Sequence, residues 1–164
     1  MSKCVLQVSQ EYATLKGGPD SLEKYRRPET MSANRIKEWL DSLEVPYEFD
    51  EDIKTFKTEW DVEGKSCEVR ITIRADRWIL VAVRLLDAGS ISPDIREELL
   101  AFLLQENYAL DDVTYSMDEK GNIYSENDIP EQASLDDFTS EFNAVVFGMM
   151  RFFDNVSARF GLEP

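Results

Sequence analysis

The chain has 164 residues, of which 43% are hydrophobic and 11% aromatic, enough for one ordinary core and short for two. Its net charge is −15, with 13 basic and 16 acidic side chains in residues 1–82 but 5 and 17 in residues 83–164. Such a field repels nucleic-acid backbones and anionic lipid, so no nucleic acid and no membrane is expected as a partner, while the absence of histidine removes Ser/His and Cys/His nucleophilic sites and most catalytic zinc sites.

In chain order, residues 1–30 read as an N-terminal arm or as an extension from a start assigned upstream of Met31. "KCVLQVS" fits one short edge strand, and "LKGGPDSLEKYRRPET" is linker-like, with a Gly-Gly-Pro break and no apolar period. No basic start followed by an apolar core is present, and no run approaches the ~18 apolar residues of a membrane span. Cys4 and Cys67 sit in no CxxC pattern, which fits reduced thiols and a cytoplasmic protein.

Residues 31–164 read as a single domain. A first helix is predicted from Ser32, a good N-cap, to Leu43, with Ile36, Trp39, Leu40 and Leu43 as its stripe and Pro46 barring continuation. Three strands follow. Phe56, Trp60 and Val62 share one face of "KTFKTEWDV". After a hairpin at Gly64, Cys67, Val69, Ile71 and Ile73 alternate with Glu68, Arg70, Thr72 and Arg74. "WILVAVRLL", Trp78 to Leu86, is apolar on both faces, the mark of a strand covered on both sides. Ser92 caps a second helix with Pro93 at its first position.

The stretch "SMDEKGNIYSEND" then raises the question of a calcium loop. Counted from Asp118, Lys120 falls where a ligand belongs, Gly121 precedes the required glycine position and Ile129 replaces the bidentate glutamate. A β-hairpin fits instead: Val113, Tyr115 and Met117 alternate with polar residues, Gly121 supplies a positive φ, and Ile123 and Tyr124 return the chain. Ser134 and Asp137 open a third helix as a capping-box variant, and its stripe runs to Val156. The expected architecture is an α+β domain, α-β-β-β-α-β-β-α, with a five-stranded antiparallel sheet.

Chemistry is conspicuous by its absence. No GxGxxG and no GxxxxGK[ST] occurs, and the carboxylate pairs Asp111–Asp112, Asp118–Glu119 and Asp136–Asp137 are sequence neighbours that diverge on strands or helix starts. No catalytic, cofactor-binding or metal-binding residue is assigned, and the chain reads as a non-enzyme.

Two surfaces exceed what one domain needs. With Ile95 at zero, Phe102 falls near 340°, Leu99 near 40°, Leu103 near 80°, Leu100 near 140° and Leu104 near 180°, an apolar arc about 200° wide. On the third helix, Phe147 lies outside the main stripe with Met150 on its shoulder. These residues, Leu100, Leu104, Phe147 and Met150, are the expected dimer or partner interface, Leu100 and Leu104 by pairing with a second copy of their own helix. Arg70 and Arg74, joined by Arg84, form an expected partner-facing strip on the sheet. Trp39, Trp60 and Trp78 are the residues an alternative small-molecule pocket would use.

This order of elements resembles the type III secretion chaperone-like fold, and "ELLAFLLQENYALDDVTYSMDEKGNIYSE" is similar to the YbjN family within it. The likeness rests on a Leu-rich helix ending near an Asn (Leu103, Leu104, Asn107), an Asp-x-x-Gly-x-hydrophobic turn (Asp118, Gly121, Ile123) and Pro130 before the last helix, and it spans about residues 31–156. It implies a small, acidic, homodimeric protein that binds extended segments of other polypeptides, with no cofactor; the family is assigned to sensory transduction regulation without an agreed biochemical activity. The expected function is therefore a non-enzymatic protein-binding domain, chaperone-like or regulatory. A small-molecule-binding or catalytic domain is the alternative, and an acidic competitor for nucleic-acid-binding proteins a third reading.

Overall fold

The structure is a computed structural model and describes residues 33–162, apart from 63, 75–77 and 131. The Ser32 cap, the arm and the "KCVLQVS" strand lie outside the described residues. Helix α1 (Ala33–Ser42) buries Ile36, Trp39 and Leu40 and closes as Glu44 adopts φ 56° and Val45 N–H donates to Leu40 O at 3.0 Å, just before Pro46. Strands β1 (Glu48–Asp50), β2 (Thr55–Val62), β3 (Lys65–Arg74) and β4 (Trp78–Leu86) then run as an antiparallel meander.

Helix α2 (Pro93–Ala109) starts where Ser92 Oγ accepts Asp94 N–H, as the sequence predicts. The hairpin β5 (Thr114–Met117) and β6 (Ile123–Pro130) turns through Gly121 at φ +90°. Helix α3 (Leu135–Arg151) opens with the expected box: Asp137 N–H donates to Ser134 Oγ at 3.1 Å and Ser134 N–H to Asp137 Oδ2 at 2.9 Å. The chain continues through a π turn, Phe152–Ser157, into the single turn α4 (Ala158–Phe160), which Gly161 ends at φ +63°.

Among the described residues the sheet has six strands in the order β1-β2-β3-β4-β6-β5, every pair antiparallel, so the expected five are corrected to six. The additional strand is β1, three residues paired with Thr55, Phe56 and Lys57, too short to show an alternation of its own. The third helix is corrected as well. The expected single helix to Val156 stops at Arg151, and the wider π turn brings Phe152, Val156 and Ser157 inward together. All of its neighbours in the sheet are local in sequence except one: β4 meets β6 only across the α2 connection.

Alternation gives the sheet an inner and an outer face. Phe56, Val69, Ile71, Ile79, Val81, Ile123 and Ile129 point inward and are fully buried under α1 and α3, where Trp39 packs on Phe138 at 5.0 Å between ring centroids. Helix α2 lies at the β5 end, with Leu99 and Leu103 buried. A register shift between Arg84 and Leu86 lets both Leu85 and Leu86 enter the core. No helix among the described residues is long and apolar enough to cross a membrane.

Candidate partner-binding surfaces

The outer face carries the even-numbered side chains of the central strands. Arg70 is registered against Ala82, Thr72 against Leu80 and Arg74 against Trp78; Leu80 faces Asp128 on the other side, Ala82 faces Glu126 and Arg84 faces Tyr124. The three arginines predicted from sequence are therefore on one face, Arg84 included. No helix among the described residues packs there, yet Leu80 and Ala82 are only 7% and 8% exposed, flanked by the longer side chains of both neighbouring strands.

A hollow of about 330 Å³ opens over this centre, walled by Arg70, Arg74, Tyr124 and Glu126. A second, of about 290 Å³, shares Arg70, Ala82 and Tyr124 with it and extends to Arg84 and Phe153. A third, of about 190 Å³, lies between Arg74, Trp78 and Asp128.

The strip is cationic but not unopposed. Arg70 Nε lies 2.6 Å from Glu68 Oε1 and Arg84 Nη1 lies 3.0 Å from Asp87 Oδ1, both pairs half exposed. Such pairs are worth little to stability, because water screens them and ordering two long side chains costs entropy, so their guanidiniums exchange partners cheaply. Arg74 makes no ion pair among the described residues.

At the rim, Asp118 closes the hairpin. Its Oδ1 accepts the N–H groups of Lys120 and Asn122, each at 2.9 Å, and its Oδ2 accepts Asn122 Nδ2 at 2.8 Å and the Tyr124 hydroxyl at 3.1 Å. Burial works against its ionisation, but the hydrogen bonds from Asn122, Tyr124 and Lys120 outweigh it and hold the carboxyl below the usual aspartate range. Burial and the same contact with Asp118 push the Tyr124 phenol up. Its oxygens are committed to the turn, and no group of three or more acidic, Cys or His residues able to hold a metal ion occurs among the described residues.

Helix α2 divides its apolar residues between two tasks. Leu99 and Leu103 enter the core, Phe102 packs on Phe160 at 5.8 Å, and Glu106 pairs with Arg151 at 2.6 Å. Leu100 is half buried, Leu104 is 70% exposed and Tyr108, one turn further along, is 94% exposed. Tyr108 was not among the sequence candidates, although its spacing of four from Leu104 places it on the same stripe. Between these sets, Asn107 faces β5: its Oδ1 accepts Tyr115 N–H at 2.7 Å and its Nδ2 donates to Tyr115 O at 2.9 Å. One side chain thus satisfies both outward-facing backbone groups of an edge-strand residue. On α3, Phe147 and Met150 are exposed as expected.

The three tryptophans do not converge. Trp39 and Trp60 lie on the inner side, packed against Phe138 and Phe142 at 5.0 and 5.5 Å, whereas Trp78 belongs to the outer face. Elsewhere, Asn127 Nδ2 donates to both Asp112 O and the Glu141 carboxylate. Burial and the nearby Asp112 and Asp137 raise the Glu141 pKa.

Residues 32–147 match the model of the YbjN family, described as "Putative bacterial sensory transduction regulator". Among solved structures, YbjN from E. coli is 11% identical, with a TM-score of 0.59 over 81% of this chain and 96% of that one. A chain of the heterodimeric ExoU–SpcU complex from the type III secretion system of Pseudomonas aeruginosa is 16% identical, with a TM-score of 0.52 over 73% and 95%. A chain of the HopA1–SchA chaperone–effector complex is 24% identical, with a TM-score of 0.50 over 74% and 95%. At these identities the likeness is one of fold, the type III secretion chaperone-like fold. No curated protein matches the sequence.

Proposed function

The chain belongs to the YbjN family, and from that premise we propose that it is a non-enzymatic protein-binding domain, chaperone-like or regulatory, acting as a homodimer on a polypeptide partner. The observation that carries this reading is the outer face, which no helix among the described residues covers and where Trp78 and the Arg70–Arg74–Arg84 strip frame an apolar centre at Leu80 and Ala82. Such a face takes an extended segment: apolar side chains enter the hollows and acidic ones meet arginines whose own pairs are weak. That ExoU–SpcU and HopA1–SchA were solved as complexes of two proteins supports the same direction.

The dimer half of the proposal rests on α2. Burying a leucine contributes roughly 1.5–3 kcal/mol, so Leu104 and its neighbours Leu100 and Tyr108 form a stripe that a second copy would cover symmetrically, with Phe147 and Met150 as further candidates on α3. A cytoplasmic site of action belongs to the same proposal.

Light scattering and photo-crosslinking test the two halves separately. The full chain should scatter as twice its 18.9 kDa mass and Leu104→Glu as once that mass; a monomeric wild type, or a Leu104→Glu dimer, removes the α2 interface. A photo-reactive side chain at Thr72 should capture a second polypeptide in cells. That yield should fall when Arg70 and Arg74 are changed to Glu. Capture that ignores the arginines, or no capture of another polypeptide, removes the outer face as the partner site.

A further inference from the structure

We propose that the gap where β3 and β4 part is a binding site for a small organic acid, one carboxylate carried on a compact apolar body. The inference stands apart from the reading of the outer face as a polypeptide-binding surface and adds a second class of ligand.

The gap follows from the register. The β3–β4 ladder runs from Arg74–Trp78 to Val69–Val83 and ends there. Beyond that pair β3 continues through Glu68 to Lys65 beside β2, while β4 continues through Arg84 to Leu86 beside β6. The register shift between Arg84 and Leu86 accounts for the parting, because an extra residue bends its strand. At about 290 Å³ the opening matches the lower end of small-molecule sites, roughly 300 Å³ upward. It is not a dent in one face. Arg70, Ala82, Arg84 and Tyr124 line it from the outer face, and Cys67, Leu85 and Phe153, which pack with the core, line it from beneath. The site therefore has a polar mouth over an apolar floor, with Leu85 only 3% exposed.

The mouth selects an anion. Two guanidiniums, Arg70 and Arg84, border it against one carboxylate, Glu68. Arg70 gives its Nε to Glu68 and Arg84 its Nη1 to Asp87, so each keeps the rest of its five N–H donors for an oxyanion. Those pairs are half exposed and screened by water. A carboxylate seated over Leu85 and Phe153 is partly out of water, where a charge-assisted hydrogen bond is stronger. Glu68 in the lining favours a single negative charge over two. The diverging stretches are short, 65–68 on β3 and 84–86 on β4, which suits one compact molecule and not a further strand.

Titration of the full chain with 2-naphthoate, followed through backbone amide shifts, tests this. The shifts should saturate at about millimolar concentration and centre on Glu68, Ala82 and Leu85. 2-Naphthamide, of the same shape without the charge, should bind roughly tenfold more weakly. Arg70→Gln and Arg84→Gln, exposed substitutions that leave the core alone, should each weaken 2-naphthoate by roughly the same factor. Cys67→Leu, which fills the floor, should abolish the saturable shifts with both guanidiniums still in place. No saturable shift, shifts centred on the Leu104–Tyr108 stripe, or equal affinity for the acid and the amide would each overturn the inference. So would arginine variants that bind as the wild type does, or a folded Cys67→Leu that still binds. Should Cys67→Leu fail to fold, the amide and the arginine variants decide the matter by themselves.

Discussion

At the scale of single residues, the hairpin tip shows how one side chain does the work that the sequence invites assigning to a metal. Asp118 receives three hydrogen bonds from within its own turn and one from Tyr124, so its charge is balanced without a cation. The sign of the resulting pH dependence follows from a folded-state pKa held below the unfolded one, about 3.9 for aspartate: the carboxylate's contribution is complete above that value and is lost as the pH falls through the depressed one. Asp118→Asn keeps the shape and loses the charge. Its urea midpoint should lie below that of the wild type at pH 5, and the gap should narrow towards pH 3. A gap that does not change with pH would mean that the turn uses the shape of this side chain and not its charge.

Elements meet across side chains that pattern alone cannot place. Asn107 lies on α2 and acts on β5, supplying the acceptor and donor that a further strand would have supplied to Tyr115. Asn107→Ala leaves two backbone groups at a partly buried edge without protein partners, a cost of about 1–3 kcal/mol, and Asn107→Asp, which keeps the acceptor, should lose less. Urea unfolding of the two variants checks this, and equal losses would count against the bond that Asn107 Oδ1 accepts from Tyr115 N–H. The sequence was legible wherever an element carries its own period or cap: the alternation of Cys67–Arg74, the Ser92 and Ser134 caps, and the turn at Gly121. Strand β1 was not, because Glu48–Asp50 is a strand only by virtue of the β2 residues beside it. Nor was the true breadth of the free α2 stripe, since Phe102 is taken up by Phe160, beyond the expected end of the last helix. Of the candidate site, the Arg70–Arg74–Arg84 strip was readable from alternation; the neighbours of Leu80 and Ala82 beside it come from both β3 and β6, a pairing that no single stretch of sequence displays.

Across the whole molecule, 33 acidic against 18 basic groups leave a self-repulsion that compaction must overcome. Raising salt from about 0.01 M to about 0.1 M shortens the screening length from about 30 Å to about 10 Å, so the urea midpoint should rise over that range. A midpoint that falls would mean that attractive pairs such as Glu106–Arg151 dominate the balance. The strand order has a consequence in time. Strands β1 to β4 can pair as soon as each is made, but the second edge of β4 receives its partner only once β6, ending at Pro130, is available. Between Leu86 and Pro130 lie 44 residues of synthesis, about 2–9 s at typical elongation rates. For that interval the most apolar strand of the protein is a bare edge on the ribosome, flanked by a growing acidic chain that keeps neighbouring copies apart.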